Sequence, residues 1–269
     1  MRCSAVVVAG VLMGSLAVFV RNVDANPVVV TFFRFAFGSI FLLPFVKDLR
    51  VTRHGLVLAV AVTNLVTVLC YIASIQMIEV ATSALLLYMA PVYVTLYVWL
   101  KGDEISRTSL SALPLAIFGL YLMLSPYGCL SVGLIFGLLS GIFYAGLFIL
   151  IKRIREFMSS THVTFLSLIL STAMLTPMVS LFFNEIVTAI TQKIAWIFGL
   201  GLIPTALAFT LFNYGIKFCK TEKAPIFALV EPVSAGLFGY FVFGEILTIR
   251  QIIGAGLILF GVALAYAEG

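Results

Sequence analysis

Charge is scarce in this sequence: of its 269 residues only 10% are Asp, Glu, Lys or Arg, whereas 62% are hydrophobic. With a mean hydropathy of +1.19, this lies far from the composition of a soluble domain, where about 25% of residues are charged. Histidine is nearly absent, and both copies, His54 and His162, stand at the starts of apolar runs, a structural or interfacial placement. The four cysteines (Cys3, Cys70, Cys129, Cys219) are scattered without CxxC spacing, so neither a disulfide framework nor a zinc site is expected. Also missing are HExxH, GxSxG and paired intramembrane aspartates, which argues against an enzyme. No phosphate-binding loop is present, so direct pumping by ATP is not expected, nor is any cofactor or metal.

What the sequence does have is long hydrophobic runs. An α-helix needs about 20 apolar residues to cross a hydrocarbon core of roughly 30 Å. Ten such spans are predicted at 4–21, 28–46, 56–77, 82–100, 109–125, 131–151, 162–183, 194–216, 224–243 and 249–267. The expected fold is therefore all-α and integral to a membrane. Residues 257–265 lack the alternation of a transmembrane β-strand. The first run follows Arg2 like a signal peptide but has no clean small-x-small cleavage site, and is read as a mature span.

Lys and Arg distribution sets the orientation. With the N-terminus inside, Arg2, Lys47, Arg50, Arg53, Lys101, Arg107, Lys152, Arg153, Arg155, Lys217, Lys220 and Lys223 fall on the cytoplasmic side, and Arg21, Lys193 and Arg250 outside. Both termini are thus expected in the cytoplasm of a prokaryotic cell, in a multi-pass plasma-membrane protein. The net charge of +5 follows from topology, leaving no basic cluster for nucleic acid.

The chain also repeats itself. "LLLYMAPVYVTLYVWLKGDE" (85–104) aligns without gaps on "IFALVEPVSAGLFGYFVFGE" (226–245), matching Pro91 to Pro232 and Glu104 to Glu245. "AGVLMGSLAVF" (9–19) matches "FGLLSGIFYAG" (136–146), so Gly10 and Gly14 correspond to Gly137 and Gly141 as helix-packing positions. The division is 1–127 and 128–269. Five spans per half is an odd number, so the second copy enters from the opposite side, the inverted-topology construction of many secondary transporters.

The paired pattern of apolar run, Pro, apolar run, Gly-Asp-Glu or Gly-Glu and a Gly-rich last helix resembles the EamA-type branch of the drug/metabolite transporter superfamily. "RNVDANPVVVTFFRFAFGSIFLLPF" (21–45), with Arg34, and "FGEILTIRQIIGAGLILFGVALA" (243–265) carry the likeness further. The resemblance implies ten helices in two inverted halves around a central cavity, and transport of small metabolites, most often export, by alternating access.

Two charges lie inside spans. A carboxylate there costs at least about 2.5 kcal/mol on insertion scales, so Glu231 is expected to face a cavity, find a partner or take up a proton. Pro232 frees the carbonyl of Ala228 and breaks the helix, and Pro91 repeats the break without a carboxylate. Glu231 is read as the proton- or cation-coupling and substrate-binding group; the alternative is a structural pair with Lys220 or Lys223. Arg34 lies about 9 Å inside the outer surface, at 1.5 Å per residue, at a different depth from Glu231. It either meets a substrate carboxylate or ties helix ends together.

Polar and aromatic stripes complete the candidate lining: Asn64, Thr67 and Tyr71; Phe209 and Asn213, with Tyr214 beside them; Phe227, Ser234 and Phe238 on the Glu231 side; and Tyr93, the repeat equivalent of Ser234. Thr164, Ser167 and Ser171 are expected to bond backbone or a neighbouring helix, and Glu104 and Glu245 to mark capped helix ends. The function read from these features is secondary active transport of a small polar or amphipathic metabolite, such as an amino acid, in the direction of export. The alternative is a lipid flippase. The partners expected are substrate and bilayer, with the protein a monomer or homodimer.

Overall fold

The computed structural model describes residues 3–46, 53–77, 80–124, 132–244 and 246–266. Arg2, Lys47, Arg50, Cys129 and Glu245 lie outside the described residues. Every regular element among the described residues is helical: α1 (Ser4–Gly14), α2 (Leu16–Val23), α3 (Pro27–Leu42), α4 (His54–Met77), α5 (Val80–Leu87), α6 (Ala90–Leu100), α7 (Arg107–Leu124), α8 (Val132–Ile154), α9 (Ser160–Val179), α10 (Phe183–Gly201), α11 (Ala208–Ile216), α12 (Lys223–Ala228), α13 (Val230–Phe243) and α14 (Ile249–Tyr266). Eight runs are long and apolar enough to cross a membrane, and 249–265 forms a shorter apolar helix.

One of these runs, Ser160–Ile216, is 57 residues long. At 1.5 Å per residue it would extend about 85 Å, well beyond one bilayer core. A 3-10 turn at Ser180–Phe182 folds it, and both α9 and α10 pack along α3. Residues 184–193, expected as an outer loop, are instead helical as far as Lys193, where the backbone leaves helical geometry (φ −125°, ψ 17°). Polar residues (Asn184, Glu185, Thr188, Thr191 and Gln192) interrupt the apolar ones here, so the stretch carries no continuous apolar run although it is helical. Ala189 is buried while Val187 and Ile190 are exposed, and Thr188 and Thr191 bond back to the carbonyls of Asn184 and Val187.

The sequence halves interlock. The first helix of each leaves its own half: α1 packs on α11, α12 and α13, and α8 packs on α4, α5 and α6, while the last helices, α7 and α14, pack on each other. Helix starts are satisfied locally, as a membrane requires. Asn26 caps α3 by accepting from Val28 N–H at 2.9 Å. Thr248 and Gln251 form a reciprocal capping box before α14, and Ser106 precedes α7 close beside the exposed Glu104.

The cysteine reading needs correction. Cys3 and Cys219 are joined by a disulfide, with their Cα atoms 5.2 Å apart. They are 216 residues apart in sequence, and only the crossing of α1 onto the second half brings them together.

The α7–α14 contact is a direct backbone approach. A Cβ at Gly254 would lie 2.5 Å from the Gly119 carbonyl oxygen, and one at Gly119 would lie 2.7 Å from that of Gly254. Gly254→Leu is therefore expected to destabilise the protein by about 1–3 kcal/mol, the usual range for overpacking. Gly256→Leu, whose Cβ meets nothing within 4 Å, should change little. Thermal unfolding of both variants in detergent checks the pair.

Candidate functional site

Two of the helix breaks inside the bundle stand just ahead of a proline. Between α5 and α6, Tyr88 and Met89 form a turn ahead of Pro91; between α12 and α13, Leu229 forms the turn ahead of Pro232. Proline has no N–H to donate, so the carbonyl four residues earlier loses its helical partner. A glycine-bearing helix covers each break. A Cβ on Gly14 would collide with the Ser234 hydroxyl and lie 2.9 Å from the Glu231 carbonyl oxygen, and one on Gly10 would approach Glu231 N at 3.4 Å. In the other half a Cβ on Gly141 would collide with the Leu86 carbonyl, and one on Gly137 would lie 2.5 Å from the Leu86 side chain. Without side chains at these positions, α1 and α8 press against the broken segments.

A cavity of about 490 Å³ opens beside these breaks, walled by α1 to α4, Tyr88 of the first break, α8, α9, α11 and α13. Seven of the twelve candidate lining residues border it: Glu231, Arg34, Asn64, Thr67, Tyr71, Phe209 and Asn213. Glu231 and Arg34 are not fully covered, because both border this space. The Glu231 carboxylate interacts electrostatically with Arg34, Tyr71, Tyr88 and Tyr144, with the Tyr88 hydroxyl placed as a donor to it. Arg34 takes its direct hydrogen bonds elsewhere, from Nε to the Thr205 hydroxyl at 3.1 Å and from Nη2 to the Pro204 carbonyl at 3.5 Å. Its guanidinium carbon sits 5.0 Å from the centroid of the Phe209 ring. The different depths assigned to the two charges therefore do not keep them apart, since one cavity reaches both.

The other five candidates lie outside the cavity wall. Tyr93 packs into the core beside Gly141, and Phe227 is buried in that same core at 1% exposure. Ser234 bonds to the carbonyls of Gly10 (3.2 Å) and Glu231 (2.9 Å). Tyr214 is exposed and stacks on Phe218 at 5.2 Å, and Phe238 is half-buried farther along α13. Two causes operate. Phe227 belongs to the helix before the turn at Leu229, whereas on α13 itself Glu231 and Ala235, one turn apart, share the cavity face and Ser234 turns toward α1.

Sequence reasoning missed Tyr88 and Tyr144. A signal existed for each: Tyr88 follows Leu87, whose carbonyl Pro91 frees, and Tyr144 lies three residues beyond Gly141 on a helix face already singled out. Thr164 and Ser167 also line the cavity. Thr164 Oγ1 donates to the Ser160 carbonyl at 2.9 Å and accepts from the Asn213 side-chain amide at 2.7 Å.

The cavity runs from Ala25, in the turn between α2 and α3, to Ile151 and Asn213. Beyond Asn213 it is closed. Buried Arg155 donates from Nε to the Asn213 carbonyl at 2.8 Å and from Nη1 to the Met158 carbonyl, Lys152 donates to the Cys219 carbonyl, and the Cys3–Cys219 disulfide ties the start of α1 to the same corner. The arrangement can bind a small amphipathic molecule by apolar and aromatic walls and offer it one cation and one anion.

Comparison with known proteins decides the family: a model described as the EamA-like transporter family matches residues 2–125 and 131–267. The chain belongs to that family. This EamA protein is thus a multi-pass membrane transporter rather than an enzyme. It is 48% identical over 266 residues to an uncharacterized transporter of Archaeoglobus fulgidus, covering 98% of this chain and 96% of the relative. It is 28% identical over 202 residues to the pseudopaline exporter CntI of Pseudomonas aeruginosa, covering 69% and 70% of the two chains. A solved crystal structure superposes with a TM-score of 0.83 at 16% identity, covering 99% of this chain and 96% of that one, which shows a shared fold.

The closeness of α1 to the Glu231 break gives a test within the EamA scaffold. Gly14→Ala should lower the melting temperature, since its methyl collides with Ser234 and two backbone atoms, whereas Gly10→Ala, at 3.4 Å or more from any neighbour, should be close to neutral. Thermal unfolding of the two purified variants distinguishes them.

Proposed function

We propose that this EamA transporter is a secondary active exporter of a small amphipathic metabolite carrying both a carboxylate and a cationic group, such as an amino acid or a derivative of one. The observation that carries the reading is the presence of Arg34 and Glu231 on the walls of one largely apolar cavity of about 490 Å³. That volume lies in the range typical of small-molecule sites, about 300–1,000 Å³. Arg34 would take the carboxylate through its planar fork, Glu231 the cationic group or a coupling proton, and Tyr71, Tyr144 and Phe209 the apolar body. Asn64 fits the same role. It is 5% exposed, lines the cavity, and its amide nitrogen has no hydrogen-bond partner among the described residues.

Alternating access between two inverted halves (1–127 and 128–269), with both termini in the cytoplasm of a prokaryotic cell, follows from the repeat and the charge asymmetry. In that orientation the Ala25 end of the cavity faces outward, and the Arg155, Lys152 and Cys3–Cys219 corner closes the inside. A relative named as an exporter supports the direction.

The test is ligand-dependent thermal stabilisation of the purified protein with L-amino acids, amines, organic acids and nucleosides at two pH values, followed by efflux from proteoliposomes. Amino acids should stabilise the native state by mass action. Glu231→Gln and Arg34→Gln should each weaken binding by about tenfold or more, as loss of a charge-assisted contact does, and Glu231→Gln should also remove the pH dependence of flux. Transport of a fluorescent lipid in both wild type and Glu231→Gln, with no amino-acid stabilisation, would replace this reading with a lipid flippase.

A further inference from the structure

Arg34 reaches into the cavity from α3, and the question is what fixes the direction of its guanidinium. The answer lies on the facing segment, Leu202–Leu207, which forms a π turn between α10 and α11. Pro204 stands four residues after Leu200, so it has no N–H to give the Leu200 carbonyl, and the ordinary ladder fails there. Thr205 repairs the gap: its hydroxyl donates to the Leu200 carbonyl at 2.7 Å. With its proton so committed, Thr205 Oγ1 presents lone pairs outward, and one accepts from Arg34 Nε at 3.1 Å. The Pro204 carbonyl, in the same turn, faces Nη2 at 3.5 Å.

The approach is close by construction. A Cβ at Gly38 would lie 2.8 Å from the Thr205 methyl, and one at Gly201 would collide with Phe37, so neither position tolerates a side chain between α3 and the turn. Thr205 is fully buried. Nε and Nη2 form the lateral edge of a guanidinium. With that edge taken by the turn and Phe209 against one face, the end-on fork formed by Nη1 and Nη2 remains for the cavity.

We propose that Thr205, set by the Pro204 π turn, is a positioning residue that aims the end-on fork of Arg34 at a substrate carboxylate and so gives the site its preference for carboxylate-bearing ligands over the corresponding amines. The inference rests on the reading that Arg34 meets the anionic group of the substrate. Thr205 acts only through Arg34 and through the repair of the Leu200 carbonyl, and no contact between Thr205 and substrate is required.

Two measurements separate this inference from the reading beneath it. The first needs no substrate. In protein labelled with ¹⁵N-arginine, the Nε–H resonance of Arg34, assigned by its loss in Arg34→Gln, should exchange slowly with solvent in wild type and in Thr205→Ser, and rapidly in Thr205→Val and Thr205→Ala. The second compares L-amino acids with their decarboxylated amines by thermal stabilisation. The preference for the acid should fall about tenfold in Thr205→Val, the loss expected for one hydrogen bond to a charged group. Thr205→Ser should restore it, and affinity for the amines should stay unchanged throughout. Slow Nε–H exchange persisting in Thr205→Val and Thr205→Ala would overturn the inference whatever the ligands do. So would an acid preference that vanishes in Arg34→Gln yet survives in Thr205→Val. An acid preference unchanged in Arg34→Gln would instead overturn the zwitterion reading itself, and with it the functional half of the inference.

Discussion

In a hydrocarbon medium no water stands ready to satisfy a backbone N–H or C=O, so a chain can leave helical geometry only where protein covers it. This constraint organises the molecule. Three irregularities inside spans (the turn at Tyr88 and Met89, the turn at Leu229 and the π turn at Leu202–Leu207) lie in the bundle with a close neighbour pressed against them. The neighbours can come that near because glycine stands at the contact: Gly14 and Gly10 over one break, Gly141 and Gly137 over the other, Gly38 and Gly201 at the π turn. The breaks in turn bring polar groups to one cavity. Glu231 follows the turn at Leu229, Tyr88 forms part of the other turn, and Arg34 rests on the π turn. Proline, glycine and buried charge are thus parts of one arrangement, in which proline opens the ladder, glycine admits cover, and the space left over is where ions can be tolerated.

The same logic separates what was legible in the sequence from what was not. Glu231 and Arg34 stood out because an ion in an apolar run is costly, and Asn64, Tyr71 and Asn213 because they lie on continuous helices, α4 and α11, where a period of 3.6 holds. Phe227 was extrapolated across the break at Leu229, where that period no longer applies, whereas Ser234 and Phe238 share α13 with Glu231 but lie on the side packed against α1 or farther along the helix, and none of the three reached the cavity wall. Tyr93, placed by analogy with Ser234, packs into the core as well. The Cys3–Cys219 bond had no local sign, since it depends on α1 crossing to the other half. The first turns of α10 were not legible because Asn184, Glu185, Thr188, Thr191 and Gln192 interrupt the apolar residues there, although Ala189 is buried.

If access alternates as proposed above, the interlocked packing bears on which contacts would part. Helix α1 is held to α11–α13 by the bare faces of Gly10 and Gly14, by the Ser234 hydrogen bond to Gly10 and by the disulfide from Cys3 to Cys219. Sliding α1 off Glu231 would uncover a backbone break, so in such a cycle α1 would move with α11–α13. By the same reasoning α8 would move with the α5–α6 break, to which Gly137 and Gly141 fit it, and with α4, through the Ser74 bond to the Gly133 carbonyl at 2.9 Å. The contacts free to change are those that join these two bodies, among them the Arg155 bond from α8 to the Asn213 carbonyl of α11 and the Lys152 bond to the Cys219 carbonyl. Both are side-chain donors on backbone acceptors at the end of the bundle, where water can replace a lost partner at small net cost. A seam that separated there would leave these covered breaks intact, which fits long cationic side chains rather than packed glycine at this end of the bundle.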